Sequence, residues 1–315
     1  MESNSNPMLE YAAAALWVLA IMTLPCVAEH GIAETGVAAT NVAVTLPPAI
    51  ESDSNSQPQQ VPFTSTSAAA SAEDAAAEAA LLQYVNRSRQ EAGSPPLRMD
   101  DTLRQAARLH AGLMVANRRL EHQFQGEPSL LQRIALVSLL PLDHAGENIA
   151  NAGCPESAND VLMRSPHHRA NLLDPSFNVV GVAAVWSHDR LYVVQDFGHV
   201  TASHSARDTA DLVGDALIEA RKSEGLSTLS PFSPPHLDDA ACAMAQQDHP
   251  NAHLVAASYT NRKVITYTQS RPEVLPPSAL DLLENPNLRH FAVGSCYARN
   301  NAYPTGTYWV AILLY

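Results

Sequence analysis

Positive charge is missing from the whole first quarter of the chain. The first lysine or arginine is Arg87, and Glu2, Glu10, Glu29, Glu34, Glu51, Asp53, Glu73, Asp74 and Glu78 all precede it. The formal net charge of −13 is therefore concentrated near the N-terminus, and the rest is only mildly acidic. No basic stripe exists that could neutralise phosphates, so nucleic-acid binding is not expected. Aromatic residues are scarce at 6%, yet the apolar fraction of 46% is enough to build ordinary cores, and 315 residues allow two domains. No serine stands in a nucleophile context, and Cys154 in "NAGCPES" has no histidine near it in sequence, which speaks against covalent catalysis.

Only four cysteines are present. Cys26 lies at the end of an apolar run, and Cys154 stands in a loop. In an oxidising compartment Cys242 and Cys296 are the pair expected to bond; two separately buried thiols satisfy the sequence equally well.

The one long stretch without charge is Tyr11 to Val27, "YAAAALWVLAIMTLPCV". It predicts a secretory signal over 1–28, with cleavage after Ala28, or an uncleaved membrane anchor. The positive segment that normally precedes such a run is absent. Export to the periplasm or outside the cell is the expected location, with anchoring in the inner membrane as the alternative. Residues 29–72 are rich in Ser, Thr, Gln, Pro and Ala with no sustained apolar period, which predicts a disordered linker.

From Glu73 the pattern changes. "EDAAAEAALLQYVNRSRQEAG" predicts a helix stopped by Gly93, and "DTLRQAARLHAGLMVANRR" a second, with Leu103, Ala107, His110 and Met114 on one face. A shorter helix is expected around "SLLQRIALVSLL", then a turn at "AGENIA" and a helix over "SANDVLMRS" ending at Pro166. "NVVGVAAVW" and "RLYVVQDFG" read as strands joined at "SHD". Helices followed by a strand hairpin predict an α+β or three-layer domain over 73–200.

Residues 205–315 repeat this plan. "LIEARKSEGLSTL" parallels "VNRSRQEAGSPPL", aligning Arg89 with Arg221, Gly93 with Gly225 and Leu97 with Leu229. Further on, Leu103 and Ala107 match Leu237 and Ala241, Gly181 matches Gly294 and Tyr192 matches Tyr308. An internal duplication is expected, with a degenerate second copy. In that copy His110 becomes Met244, while Gln195 and Asp196 become Ala311 and Ile312, so polar positions have turned apolar.

The polar residues that could carry chemistry all lie in the first copy: His122, Glu147, Asn148, His167, His168, Arg169, Asn171, Gln195 and Asp196. In order, "VNRSRQEAG…PPL…DTLRQAARLHAGLM", a later histidine, "AGENIA", "SPHHRANLLDPSFNVVGV" and "YVVQDFG" resemble the bacterial branch of the CAP superfamily. That superfamily comprises the cysteine-rich secretory proteins, antigen five and the pathogenesis-related proteins, with a domain also called SCP-like. The resemblance covers roughly residues 76–198 and is faint in the second copy. It implies an exported α-β-α sandwich with a cleft lined by two histidines and two glutamates, which in some members holds zinc or another divalent cation. By motif, His122 and His168 take the histidine positions and Glu147 the first glutamate position. Glu156 lies too early for the second, so the tetrad reads as a triad.

Two imidazoles and a carboxylate can bind a divalent ion or activate water; the same three can equally form a hydrogen-bonded network that braces the cleft. His110 is expected buried and satisfied, at the cleft floor. Arg169 is expected to bond carboxylates or loop carbonyls, with Asp196 as a partner, and Asn148 and Asn171 to hold turns. His167 is expected at the cleft rim. The functional expectation is a binding or interaction module for a small apolar or glycan ligand or a protein partner. The alternative is a metal-dependent peptide or ester hydrolase, with His122 and His168 as ligands and Glu147 as base.

Overall fold

The computed structural model describes residues 32–33, 72–259 and 261–315. The 1–28 signal or anchor lies outside the described residues, as does most of the 29–72 segment. Two short pieces of that segment are paired: β1 (Ile32–Ala33) runs antiparallel to the strand that carries Ala150 and Asn151, and β2 (Ala72–Glu73) to the strand that carries Val185 and Trp186. No helix among the described residues is long and apolar enough to cross a membrane.

Local signals set the helices of the first unit. Helix α1 (Ala75–Ala92) begins where the Asp74 carboxylate accepts from the amides of Ala76 and Ala77, and stops at Gly93, whose φ of 79° is the left-handed cap. After the two-residue β3 (Arg98–Met99), Asp100 caps α2 (Asp101–Asn117) in the same way. Leu103, Ala107, His110 and Met114 are all buried on one face of α2. Then follow α3 (Leu130–Val137), β4 (Leu142–Ala152), α4 (Pro155–Arg164), α5 (Pro166–Leu173), β5 (Val179–Ser187) and β6 (Arg190–Val200). Pro155 and Pro166 both sit in first turns, where a missing amide costs nothing.

"AGENIA" is the centre of β4, not a turn. Its glycine and polar residues break the apolar alternation that marks a strand. Their side chains find partners on both faces of a buried strand, and residues 145–152 are all buried. The sheet order is β1-β4-β6-β5-β2, with β3 added parallel to β5. One face packs Leu81, Val85, Leu162 and Leu172 against Val180, Val182 and Val193; the other packs Leu103, Ala107 and Met114 against Val179, Ala183 and Val194. Helices therefore cover both faces, and the architecture is an α+β, three-layer α-β-α sandwich.

The second sheet, in order β7-β9-β10-β8, is built from β7 (Ser230–Pro231), β8 (Lys263–Gln269), β9 (His290–Ala298) and β10 (Thr307–Leu314). Its helices are α6 (Ala206–Ser223), α7 (Leu237–Gln246), α8 (Ala252–Ser258) and α9 (Pro277–Leu283). Cys242 on α7 and Cys296 on β9 are joined by a disulfide.

The two units share particular devices. Buried Arg89 donates to the carbonyls of Pro95, Leu172, Asp174 and Phe177; buried Arg221 donates to those of Ser227, Leu283 and Asn285. Gly181 lies directly under the backbone of Leu103, and Gly294 under that of Leu237; a Cβ at either would collide with main chain. The ladders also revise the alignment of the last strands. Gly181 pairs with Asp196 and Gly294 with Ala311, so Asp196 corresponds to Ala311 and Tyr308 to Val193 rather than to Tyr192. A one-residue slip moves a side chain to the other face, and Val193 and Tyr308 do face equivalent cores.

Candidate functional site: a saturated histidine–carboxylate cleft

The cleft forms where α2, the segment after it, α3 and β4 meet. His110 on α2 is fully buried, with Nδ1 2.7 Å from Glu127 Oε1 and Nε2 2.8 Å from the Glu121 carbonyl. His122 places Nδ1 2.8 Å from Glu147 Oε1. The guanidinium of Arg133, on α3, bonds Glu147 Oε2, approaches Glu127 Oε1 at 3.3 Å and donates to the His122 carbonyl at 2.9 Å. One buried cation thus ties both carboxylates and the segment that follows α2. The capping box of Ser129 and Gln132 starts the helix that aims Arg133 inward.

Glu127 and Arg133 were not among the residues singled out by motif. Glu127 lies five positions after His122, in "QGEP", where the turn residue Gly126 (φ 82°) redirects the chain. Glu156 is exposed on α4 and plays no part. The second carboxylate of the cleft is therefore Glu127, supplied from the opposite side in sequence.

His168 is buried on α5, its ring centroid 6.4 Å from that of His122, and its Nδ1 has no hydrogen-bond partner among the described residues. Burial, reinforced by the nearby His122 and His167, depresses its pKa to about 4, so it is neutral at physiological pH. His167 and Arg169 are exposed on the outer face of α5. Asp196, by contrast, is fully buried on β6 beside Glu147, so the expected Arg169–Asp196 pair does not form. Helix α5 turns Arg169 away from the sheet that holds Asp196. Asn148 and Asn171 do not hold turns either. Asn148 donates to the His168 carbonyl at 3.1 Å, and Asn171 donates to the Glu147 carbonyl and to Asn148 Oδ1. Together they fasten α5 onto β4. Cys154, at the N-cap of α4, is disulfide-bonded and so has no free thiol.

Burial alone would raise the pKa of Glu147, but the His122 hydrogen bond and the Arg133 charge outweigh it and leave the group below its ordinary value. Glu127 is likewise lowered: burial opposes, while His110, the Phe124 amide and Arg133 favour the anion. Asp196 moves the other way. Burial, the neighbouring Glu147 charge and a hydrogen bond to Glu147 that favours the protonated acid push it well above 3.8. The folded protein therefore keeps this proton over a range where the unfolded chain has released it, and the group's effect on stability becomes more unfavourable as pH rises above 3.8. Asp196→Asn mimics the protonated acid. Its melting temperature relative to wild type is expected to rise as pH goes from about 4 to about 7. A pH-independent difference in thermal scans would contradict this assignment.

The residues do not fit a resident divalent cation. Both oxygens of Glu147 are committed, one of them to a guanidinium whose charge repels a second cation. Among the described residues no three His, Cys, Asp or Glu side chains converge as a metal set.

This sandwich of helices on both faces of a mixed sheet, with histidines and glutamates gathered at the edge of α2, is the arrangement that the resemblance to SCP-like domains implies. Residues 82–197 match the family model described as the cysteine-rich secretory protein family, CAP. It is 31% identical over 142 residues to the uncharacterized protein YkwD of Bacillus subtilis (strain 168), covering 44% of this chain and 54% of that protein. The chain thus spans about half the length of the curated relative it matches. An extracellular SCP-domain protein from Bacillus anthracis str. Ames is 27% identical, with 39% of this chain and 40% of that chain covered and a TM-score of 0.33. Na-ASP-1 is 10% identical, with 76% and 88% covered and a TM-score of 0.41.

Proposed function

We propose that the protein works outside the cytoplasm as a non-enzymatic binding module, taking a small apolar or glycan ligand or a protein partner at the His122–His168 side of the cleft. The observation that carries this reading is the saturation of Glu147. A general base or water-activating carboxylate needs an oxygen available to the reacting proton, and here His122 and Arg133 hold both. Neutral, buried His168 supplies a polar contact without the cost of a buried charge. The second unit, with apolar residues at the corresponding positions, is read as a duplicated copy that has lost the cleft and serves a structural role.

Zinc titration separates this reading from a metal-dependent hydrolase. The full chain and its His122→Ala/His168→Ala variant are titrated with zinc chloride by calorimetry and assayed against peptide and ester substrates. Equally weak zinc uptake by both proteins, without turnover, is the expected result. Stoichiometric zinc binding that disappears in the variant, accompanied by turnover, would establish the hydrolase instead.

A further inference from the structure

The second unit reaches into the first between the two halves of the cleft network. Arg133 is on α3 and Glu147 on β4; residues 138–142 connect them. The connector begins at Ser138, the C-cap of α3, where helix carbonyls have no partner within the helix. Arg299, in the loop between β9 and β10, donates through Nη1 to the Ser138 carbonyl at 2.8 Å and through Nη2 to the Leu140 carbonyl at 3.1 Å. Thr305, buried in the same loop, donates to the Leu142 carbonyl at 2.9 Å. Three carbonyls between Ser138 and the first residue of β4 are thus held by one hairpin loop 159 or more positions away in sequence.

That loop is itself rigid. The Tyr297 hydroxyl donates to the Thr305 carbonyl at 2.8 Å, the Tyr303 amide to Asn300 Oδ1 at 2.8 Å, and Tyr303 pairs with Thr268 on β8. Gly306, at φ 94°, lies against the Tyr297 ring, where no side chain fits. The passage between units is also tied down. The Tyr308 hydroxyl accepts from the His204 amide at 2.7 Å and faces the Ala202 carbonyl. The loop therefore presents Arg299 and Thr305 from a fixed platform.

We propose that the second unit is a positioning device for the cleft of the first: Arg299 and Thr305 hold connector 138–142 so that Arg133 stays seated between Glu127 and Glu147. The inference concerns how the network is assembled and holds whether the cleft binds or hydrolyses. It makes Arg299 and Thr305 positioning residues that touch no ligand.

The test uses Arg299→Met and Thr305→Val in the full chain, with Arg133→Met as reference. Hydrogen exchange at 130–137 is expected to become at least about tenfold faster, with β5 and β6 unchanged. The Glu147 carboxyl midpoint, followed by carbon-13 NMR, is expected to rise by about 1, towards that of Arg133→Met, because the cation is no longer held against it. Arg299→Lys, which can still donate to one carbonyl, is expected to restore part of both effects. Thr305→Val removes one hydroxyl at nearly constant shape and keeps the test valid if Arg299→Met folds poorly. An unchanged Glu147 midpoint and unchanged exchange in α3, with only the second unit destabilised, would overturn the proposal.

Discussion

Arg133→Met is expected to lower stability at pH 7 by about 3–5 kcal/mol, the range for removing one partner of a buried, hydrogen-bonded ion pair. The cost comes from what remains. Glu127 and Glu147 would face each other, with Asp196 beside them, in a pocket water cannot fill freely, and the His122 carbonyl would lose its donor. Methionine fills the volume of the arginine stem, so most of the loss is electrostatic. The pH dependence follows from the sign of the shifts. Glu127 and Glu147 are held below 4.5 when folded, so the stability they contribute is full above that value and disappears as pH falls through the folded values. The variant has lost this contribution. The gap between wild type and variant in urea denaturation is therefore widest near pH 7 and narrows towards about pH 4. A gap that stays constant with pH would mean that Arg133 contributes by packing alone.

Arg89→Met and Arg221→Met form the second large effect. Each arginine is fully buried, and among the described residues its hydrogen-bond partners are main-chain carbonyls at a helix end and the loop after it. Burial lowers both guanidinium pKa values, a sign that these charges are held at a cost. Carbonyls are fixed dipoles, and removing the donor leaves several of them buried without a partner, at about 1–3 kcal/mol each. Arg89→Met orphans the carbonyls of Pro95, Leu172 and Phe177, leaves that of Asp174 with the Phe177 amide alone, and loosens α5 from α1. Since α5 carries His168, the cleft loses one wall. A loss of at least about 3 kcal/mol is expected, or a fall in melting temperature of about 10 °C or more. Arg221→Met should do the same to the second unit. Calorimetry resolves whether each variant shifts one transition or both; the connector contacts of Arg299 and Thr305 predict that both respond. A change below about 1 kcal/mol in either variant would show that water or local collapse replaces the lost donors.

Much of the first unit was legible before any coordinate. Asp74 and Asp100 before apolar periods of 3.6 mark helix starts, Gly93 marks a stop, and "NVVGVAAVW" and "RLYVVQDFG" are strands by composition alone. "AGENIA" was misread because strand pattern assumes apolar residues inside, whereas β4 buries Glu147 and Asn148 with partners of their own. His122, Glu147 and His168 were found through motif order, and His122 does contact Glu147. Glu127 and Arg133 carry no local signal of their role, since a charged residue in a polar loop or on a short helix is usually solvated.

Sequence alone determined the things that depend on neighbours along the chain: where helices begin and end, which face of α2 is apolar, and the α+β or three-layer class that the order of elements predicts. Tertiary structure alone decided what the cleft is. Whether Glu147 is a free base or a saturated brace depends on α3 folding back to bring Arg133 to it. The protonation of Asp196 depends on a strand register that sets it, fully buried, against Glu147. Burial and charge at that point are sums over residues distant in sequence, and no short stretch contains them.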